Sequence, residues 1–205
     1  MPEGICNQLI IPQLQNLYKQ HPSLQLKIIS SITSSDLLRG DADIAIRLYR
    51  PTKADLIIKK IGTMKLALFA SSQYIDSFGL PDSVSDLLNH KVIVYGDSLS
   101  HLQENQWLLK HSSHENQILS TDSTEVRLQS TIEGAGISIL PEIFQQRHKN
   151  LIQCFEDVSL PNHDIWLVYH KDLKNSFRMN IVKDFLLEAL TCFKDEHFET
   201  NQPPV

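Results

Sequence analysis

Three short runs of hydroxyl-bearing residues hold the chemistry in this sequence. Ser30, Ser31 and Thr33, within SSITSS, follow an alternating apolar run and precede a helix-forming one. TDST, from Thr121 to Thr124, repeats the arrangement, so Asp122, Ser123 and Thr124 stand between a strand and a helix. Ser71 and Ser72 follow the apolar run KLALFA in the same way. In an open α/β sheet, ligands sit beyond the carboxyl ends of strands, where helix N-terminal amides and nearby hydroxyls receive an anion or another small polar group. These eight residues are therefore the candidate ligand contacts. Each run has a competing reading, because Ser and Thr at a strand-to-helix junction also serve as plain helix caps.

Other candidates are weaker. Arg47, at the end of DIAIR, could pair an effector acid, and pairing with Asp43 to support the fold is at least as good a reading. His101, His111 and His114 share a polar block with Glu104 and Glu115, without the defined elements that fix metal ligands, so no metal is expected. GAG at Gly134 to Gly136 follows a helix and precedes a strand, the reverse of the dinucleotide order, and reads as a helix stop. No GxSxG, Walker loop, HExxH or Cys-His pairing appears. The sequence gives no support for a catalytic residue, an enzyme activity or a cofactor.

The elements that must position these residues follow from periodicity. Ile5, Leu9, Ile10, Leu14, Leu17 and Tyr18 recur at helical spacing up to Pro22. Leu24, Leu26 and Ile28 alternate as in a strand. Thr33 can cap a short helix over Ser34 to Arg39, stopped by Gly40. DIAIRL, LIIKKI and KLALFA read as three strands. A short helix at Tyr74 to Phe78, a capped helix at Ser83 to Asn89 and a strand from Val92 come next. Between Ser98 and Gln117 the polar chain reads as loops around one strand or hairpin at Trp107. Beyond it lie a helix from Ser123 to Glu133 closed by Gly134, the strand GISILP, a helix opened by Pro141 at its first position, and the strand LIQCF. DIWLVYH is a strand, and Phe177 to Phe193 an amphipathic helix with Ile181, Phe185, Leu186 and Leu190 on one side. Strands alternating with helices of about ten residues indicate an α/β fold.

The 205 residues are 41% hydrophobic and 21% charged, with a net charge of -5, enough chain for a core without disulfides or structural metal. With no cluster of Lys and Arg, the sequence lacks the basic face that grips nucleic acid. Cys6, Cys154 and Cys192 are odd in number and far apart, as in reduced cytoplasmic proteins. Neither a leader peptide nor a membrane-spanning apolar run is present, so a cytoplasmic protein without membrane contact is expected.

The order of motifs resembles the C-terminal effector-binding (substrate-binding) domain of LysR-type transcriptional regulators. The resemblance rests on LIIPQLQNLYKQHPSLQLKI, DLLRGDADIAIRL, FASSQYIDSFGLP with DLLNHKVIVYG, TDSTEVRLQSTIEGAGISILPEI and WLVYHKDLKNSFRMNIVKDFL, which cover most of Leu9 to Leu190 in the family's order. It implies two Rossmann-like α/β subdomains joined by two crossover strands, a periplasmic-binding-protein-like fold of type 2, with a ligand cleft between them. Carried onto this chain, residues 1–70 with 162–190 form subdomain I, 71–161 form subdomain II, and 191–205, ending in DEHFETNQPPV, form a tail expected to be disordered.

Family members also carry an N-terminal winged helix-turn-helix domain, and nothing resembling it stands here, so a piece of a longer regulator is expected. The family's first strand normally precedes the position of Met1, where only MPEG stands ahead of helix one. The resemblance implies a small-molecule effector, plausible as a carboxylate or amino-acid-like metabolite. It also implies DNA contact only through the missing domain, and homodimers within tetrameric full-length assemblies. The exposed side of helix one and a strand near DIAIRL are the candidate self-association surfaces. A transporter's solute-binding protein and a small α/β enzyme are the competing functions.

Overall fold

In the computed structural model, residues 1–30, 42–52 and 55–193 are described. The elements in chain order are α1 (Glu3–Ile5), α2 (Leu14–Gln20), β1 (Ile44–Arg47), β2 (Leu56–Met64), β3 (Leu66–Ser71), α3 (Ser72–Phe78), β4 (Val92–Val94), α4 (Gln103–His111), β5 (Gln117–Ser120), α5 (Thr124–Ile132), β6 (Ser138–Pro141), β7 (Leu151–Gln153), β8 (His163–His170) and α6 (Phe177–Ala189). None of the described helices is long and apolar enough to cross a membrane.

The chain divides into two compact units, one of Met1–Met64 with the chain from His163 onward, the other Lys65–Asn162. The first boundary falls earlier than the expected Ala70. The reason is pairing: β3 is hydrogen-bonded between β6 and β7, so Leu66–Ser71 belongs to the second unit's sheet. The chain leaves the first unit at Met64 and returns at His163, which are register partners on β2 and β8.

In the first unit, Pro12 shapes the opening helical segment. Proline has no N–H to donate to the ladder, and α1 continues through a π turn at Cys6–Ile10 and a 3-10 turn at Ile11–Gln13 before α2 begins. The expected single helix is thus a chain of four short segments of three helical types that still buries Ile5, Cys6, Ile10 and Leu17. Leu24 to Ile28, expected as a strand, has no assigned ladder among the described residues. Its side chains still alternate between half-buried and exposed from Leu24 to Ile28, so the periodicity was real and the pairing is what is missing. The predicted helix over Ser34 to Arg39 lies outside the described residues. β8 is the central strand of an antiparallel sheet ordered β1-β8-β2, with Ile165, Leu167 and Val168 fully buried. α6 is followed by a 3-10 turn at Thr191–Phe193 whose Phe193 is buried, so the expected tail begins no earlier than residue 194; the remainder lies outside the described residues.

The second unit has β6-β3-β7 antiparallel and β4 parallel to β5. Ile137, just before β6, joins the two parts: Ile93 N–H donates to its carbonyl and its N–H donates to Lys91 O, both at 2.9 Å. The α/β expectation is met in this parallel portion. Phe69, Leu128, Leu140, Phe144 and Leu151 form an apolar core cluster of the second unit, between α5 and the antiparallel sheet.

Three local expectations change. WLL at Trp107 belongs to helix α4, not to a strand or hairpin, because Glu104, Asn105 and Leu108 form its buried face and two of those three are polar. Ser83 to Asn89 is a 3-10 helix at Val84–Asn89 without a side-chain cap bond, since Ser83 Oγ pairs with Ser85 Oγ. Pro141 ends β6, opposite Leu66, and precedes a 3-10 helix at Glu142–Gln146 instead of opening an α-helix at its first position.

Candidate functional site

β4 and β5 run parallel, so their carboxyl ends lie side by side, with Val94 opposite Ser120. Thr121 N–H donates to Val94 O at 3.2 Å and Ser120 Oγ to Tyr95 O at 3.3 Å, which binds the loop after β4 to the loop after β5. A side-chain bond adds to these: Ser98 Oγ donates to Asp122 Oδ2 at 2.5 Å. Gly96 makes the approach possible, since a Cβ there would sit 2.7 Å from Asp122 Oδ1. That Oδ1 is enclosed and has no hydrogen-bond partner among the described residues.

Of the TDST residues, Ser123 is the N-cap of α5, accepting Val126 N–H at 3.2 Å, and its own N–H donates to Thr121 Oγ1 at 3.2 Å. Gly134 ends that helix at a φ of +79°, a conformation that glycine adopts without strain. Thr124, at the first helical position, is half-buried and makes no side-chain hydrogen bond among the described residues. The structure therefore brings Asp122, Ser123 and Thr124 together at the carboxyl ends of two parallel strands. It assigns the capping bond to Ser123 and leaves the Thr124 hydroxyl unspent.

Ser71 is fully buried and caps α3, its Oγ accepting Tyr74 N–H at 3.2 Å, so of its two readings the structure supplies the capping one. Ser72 is exposed, with its N–H donated to Asn150 O at 2.9 Å. Ser30 is exposed in the first unit, and Ser31 and Thr33 lie outside the described residues. Arg47 Nη1 donates to Tyr49 Oη at 2.7 Å and its guanidinium lies over that ring. Among the histidines of the polar block, His111 is engaged with Trp107, through its backbone carbonyl at 2.7 Å and by ring contact. No group of three or more metal-ligating side chains comes together among the described residues. Cys154 is buried, which pushes its thiol up to about 12 and keeps it protonated at neutral pH.

Sequence reasoning missed a buried polar cluster beneath this rim. Arg127 and Glu104 are each only 1% exposed. The Arg127 guanidinium lies 3.6 Å from the Tyr95 ring centroid, and its Nη1 donates to Ile139 O at 2.7 Å. Asn105 Oδ1 accepts Tyr95 N–H at 2.9 Å. Burial pushes the Tyr95 phenol up, while Arg127 pulls it down and Glu104 raises it further. A signal was present for Arg127: it shares the inner face of α5 with Leu128 and Thr131, at spacings of one and four. For Glu104 and Asn105 the helical period was hidden, because an apolar count does not register polar residues on a buried face.

The sequence profile of the LysR substrate binding domain matches residues 1–191. YhjC, an uncharacterised HTH-type transcriptional regulator of Escherichia coli (strain K12), is 25% identical over 207 residues, covering 95% of this chain and 68% of YhjC. The HTH-type transcriptional activator TtdR of the same organism is 26% identical over 195 residues, covering 89% of this chain and 61% of TtdR. The regulatory domain of CrgA, a LysR-type transcriptional regulator from Neisseria meningitidis, shares the fold with a TM-score of 0.79 at 22% identity, covering 92% of this chain and 95% of that domain. This chain thus spans between 61% and 68% of the two curated relatives and nearly all of the CrgA regulatory domain. With the profile matched from residue 1 to 191, the chain belongs to the LysR substrate binding domain family.

Proposed function

We propose that this chain is the effector-sensing domain of a LysR-type transcriptional regulator, and that its effector is a small carboxylate or amino-acid-like metabolite. The observation that carries the reading is the junction of β4, β5 and α5, where two parallel carboxyl ends meet a helix N-terminus and the Thr124 hydroxyl is unspent. Backbone amides and hydroxyls at such a junction suit a small polar ligand. Asp122 and Ser123 shape the rim, Ser72 remains a candidate contact, and Ser30, Ser31 and Thr33 remain candidates in the first unit. The effector favours one arrangement of the protein over another by its difference in affinity for the two. That bias passes through contacts between protomers of a homodimer, itself part of a tetramer, to DNA-binding domains outside this chain. A cytoplasmic location follows from that role.

The test is a thermal-shift screen against small carboxylates, amino acids and aromatic acids. A ligand at about 100 times its dissociation constant adds about 2.7 kcal/mol, which at this size raises the melting temperature by roughly 5 to 10 °C. Thr124→Val, which removes a hydroxyl with no structural bond, is expected to abolish the shift without lowering the unliganded melting temperature, and Ser31→Ala and Thr33→Ala to weaken it. A saturable shift that survives all three variants places the ligand elsewhere. No shift across the panel refutes the proposed effector class.

A further inference from the structure

The cluster under the rim is poorly explained as a source of stability. Taking a guanidinium and a carboxylate out of water costs more than their attraction commonly returns, and apolar side chains of similar size often stabilise as well or better. Asn105 adds to the cost: buried to 1% exposure, it gives its Oδ1 to Tyr95 N–H while its Nδ2 finds no partner among the described residues. What the four side chains share is location. Glu104 and Asn105 come from α4, Tyr95 from the loop after β4, and Arg127 from α5, and the cluster is bonded to β6 at Ile139. The loop after β4 and the helix after β5, which flank the β4-β5 rim, both contribute to it.

We infer that Arg127 and Glu104 are positioning residues, which fix the loop from Tyr95 to Ser98 against Thr121 to Thr124 and so set the shape of the rim. The planar guanidinium does this by stacking on the Tyr95 ring at 3.6 Å while tethered to Ile139 O. Glu104, 1% exposed, lies on the buried face of α4 next to Asn105, which holds the backbone at Tyr95. The consequence for effector recognition rests on the reading given above, whereas the positioning itself does not.

The experiment is amide hydrogen exchange with melting temperatures on the parent, Arg127→Lys, Arg127→Met and the double variant Glu104→Gln with Arg127→Met. The double variant removes both charges and keeps most of the bulk. It is expected to melt within a few degrees of the parent, with the hydrogen-bonded rim amides of Tyr95, Thr121 and Ser123 exchanging at least about tenfold faster and those of β3 unchanged. Arg127→Lys keeps the charge and is expected to recover part of the loop protection. Parent-like loop protection in the double variant overturns the inference, because the charges then position nothing. Loss of protection in β3 and the loop together, with the melting temperature falling in step, also overturns it, because the cluster is then ordinary structural support. If Arg127→Met alone fails to fold around an uncompensated Glu104, the double variant still decides. No ligand enters these readouts, so an unsuccessful effector screen and a refuted positioning role are distinguishable.

Discussion

Gly96→Ala tests the rim by pure steric logic. Gly96 has a φ of −73° and a ψ of −176°, ordinary extended backbone that alanine adopts without strain. By itself the substitution stabilises by about 0.4–1 kcal/mol, through a less flexible unfolded chain. In this structure the new Cβ meets Asp122, at 2.7 Å from Oδ1 and 3.1 Å from Cγ. The carboxylate must move, and the Ser98–Asp122 hydrogen bond at 2.5 Å is what it gives up. A bond to a charged acceptor contributes about 1.5–3 kcal/mol, and exposure of Ser98 reduces that to about 1–2 kcal/mol. The expected net result is destabilisation of about 0.5–1 kcal/mol, or roughly 1–4 °C. On an Asp122→Ala background the obstacle is gone, and Gly96→Ala is expected to stabilise by about 0.4–1 kcal/mol.

The sign therefore reverses between the two backgrounds, with a coupling of about 1–2 kcal/mol. The four proteins are compared by urea unfolding in a Trp166→Phe background. Trp107, in the second unit, then reports alone, since the chain has two tryptophans. Equal effects of Gly96→Ala on both backgrounds, within about 0.5 kcal/mol, refute the Gly96–Asp122 contact and the rim built on it.

In the first unit, Gly62→Ala drives a Cβ into the backbone carbonyl of Phe193. Overpacking of this kind costs about 1–3 kcal/mol, read as a lowered melting temperature, and a neutral result would contradict the docking of the Thr191–Phe193 turn. In the second unit, Tyr74 Oη accepts Lys91 N–H at 3.0 Å and lies 3.1 Å from His90 Nδ1, so the phenol hydrogen is expected on the bond to Nδ1 and the imidazole proton on Nε2, 3.5 Å from Asp86. Nitrogen NMR on the neutral ring is expected to show that tautomer, and Tyr74→Phe to lower stability by about 1–2 kcal/mol; an Nδ1-protonated ring contradicts the chain of donors. Cys154, its thiol raised to about 12, is expected to resist alkylation at pH 8 until urea unfolds the second unit, and native-state labelling there would refute its burial.

Fold class was legible because it rests on apolar periodicity and turn residues distributed over the whole chain, and the family because five motifs resemble its own in the same order. LIIKKI, KLALFA, VIVYG and DIWLVYH each overlap a strand of the structure. Where the reading failed, the missing information was non-local or chemical. Nothing within KLALFA says that its partners are β6 and β7; the boundary at Ala70 was what the family resemblance implied, while the hydrogen bonding of β3 puts it at Met64. Pro12 was legible and should have broken the first helix, since its missing N–H is independent of context. Ser71 and Ser123 share one sequence pattern and one physical outcome, a hydroxyl consumed by a helix cap.

Under the proposed reading, the TDST run is more than a helix cap. A cap needs a single oxygen, and Ser123 provides it; Thr124 adds a second hydroxyl with no bond to make, and Asp122 a carboxylate with one oxygen tied to Ser98 and the other enclosed. Polar groups beyond the number that folding requires, gathered where two parallel strands end, are what a binding site needs and a helix start does not. If folding alone had selected these residues, Thr124→Val would change nothing measurable in any ligand's presence, which is why that variant, rather than Ser123→Ala, separates the two explanations.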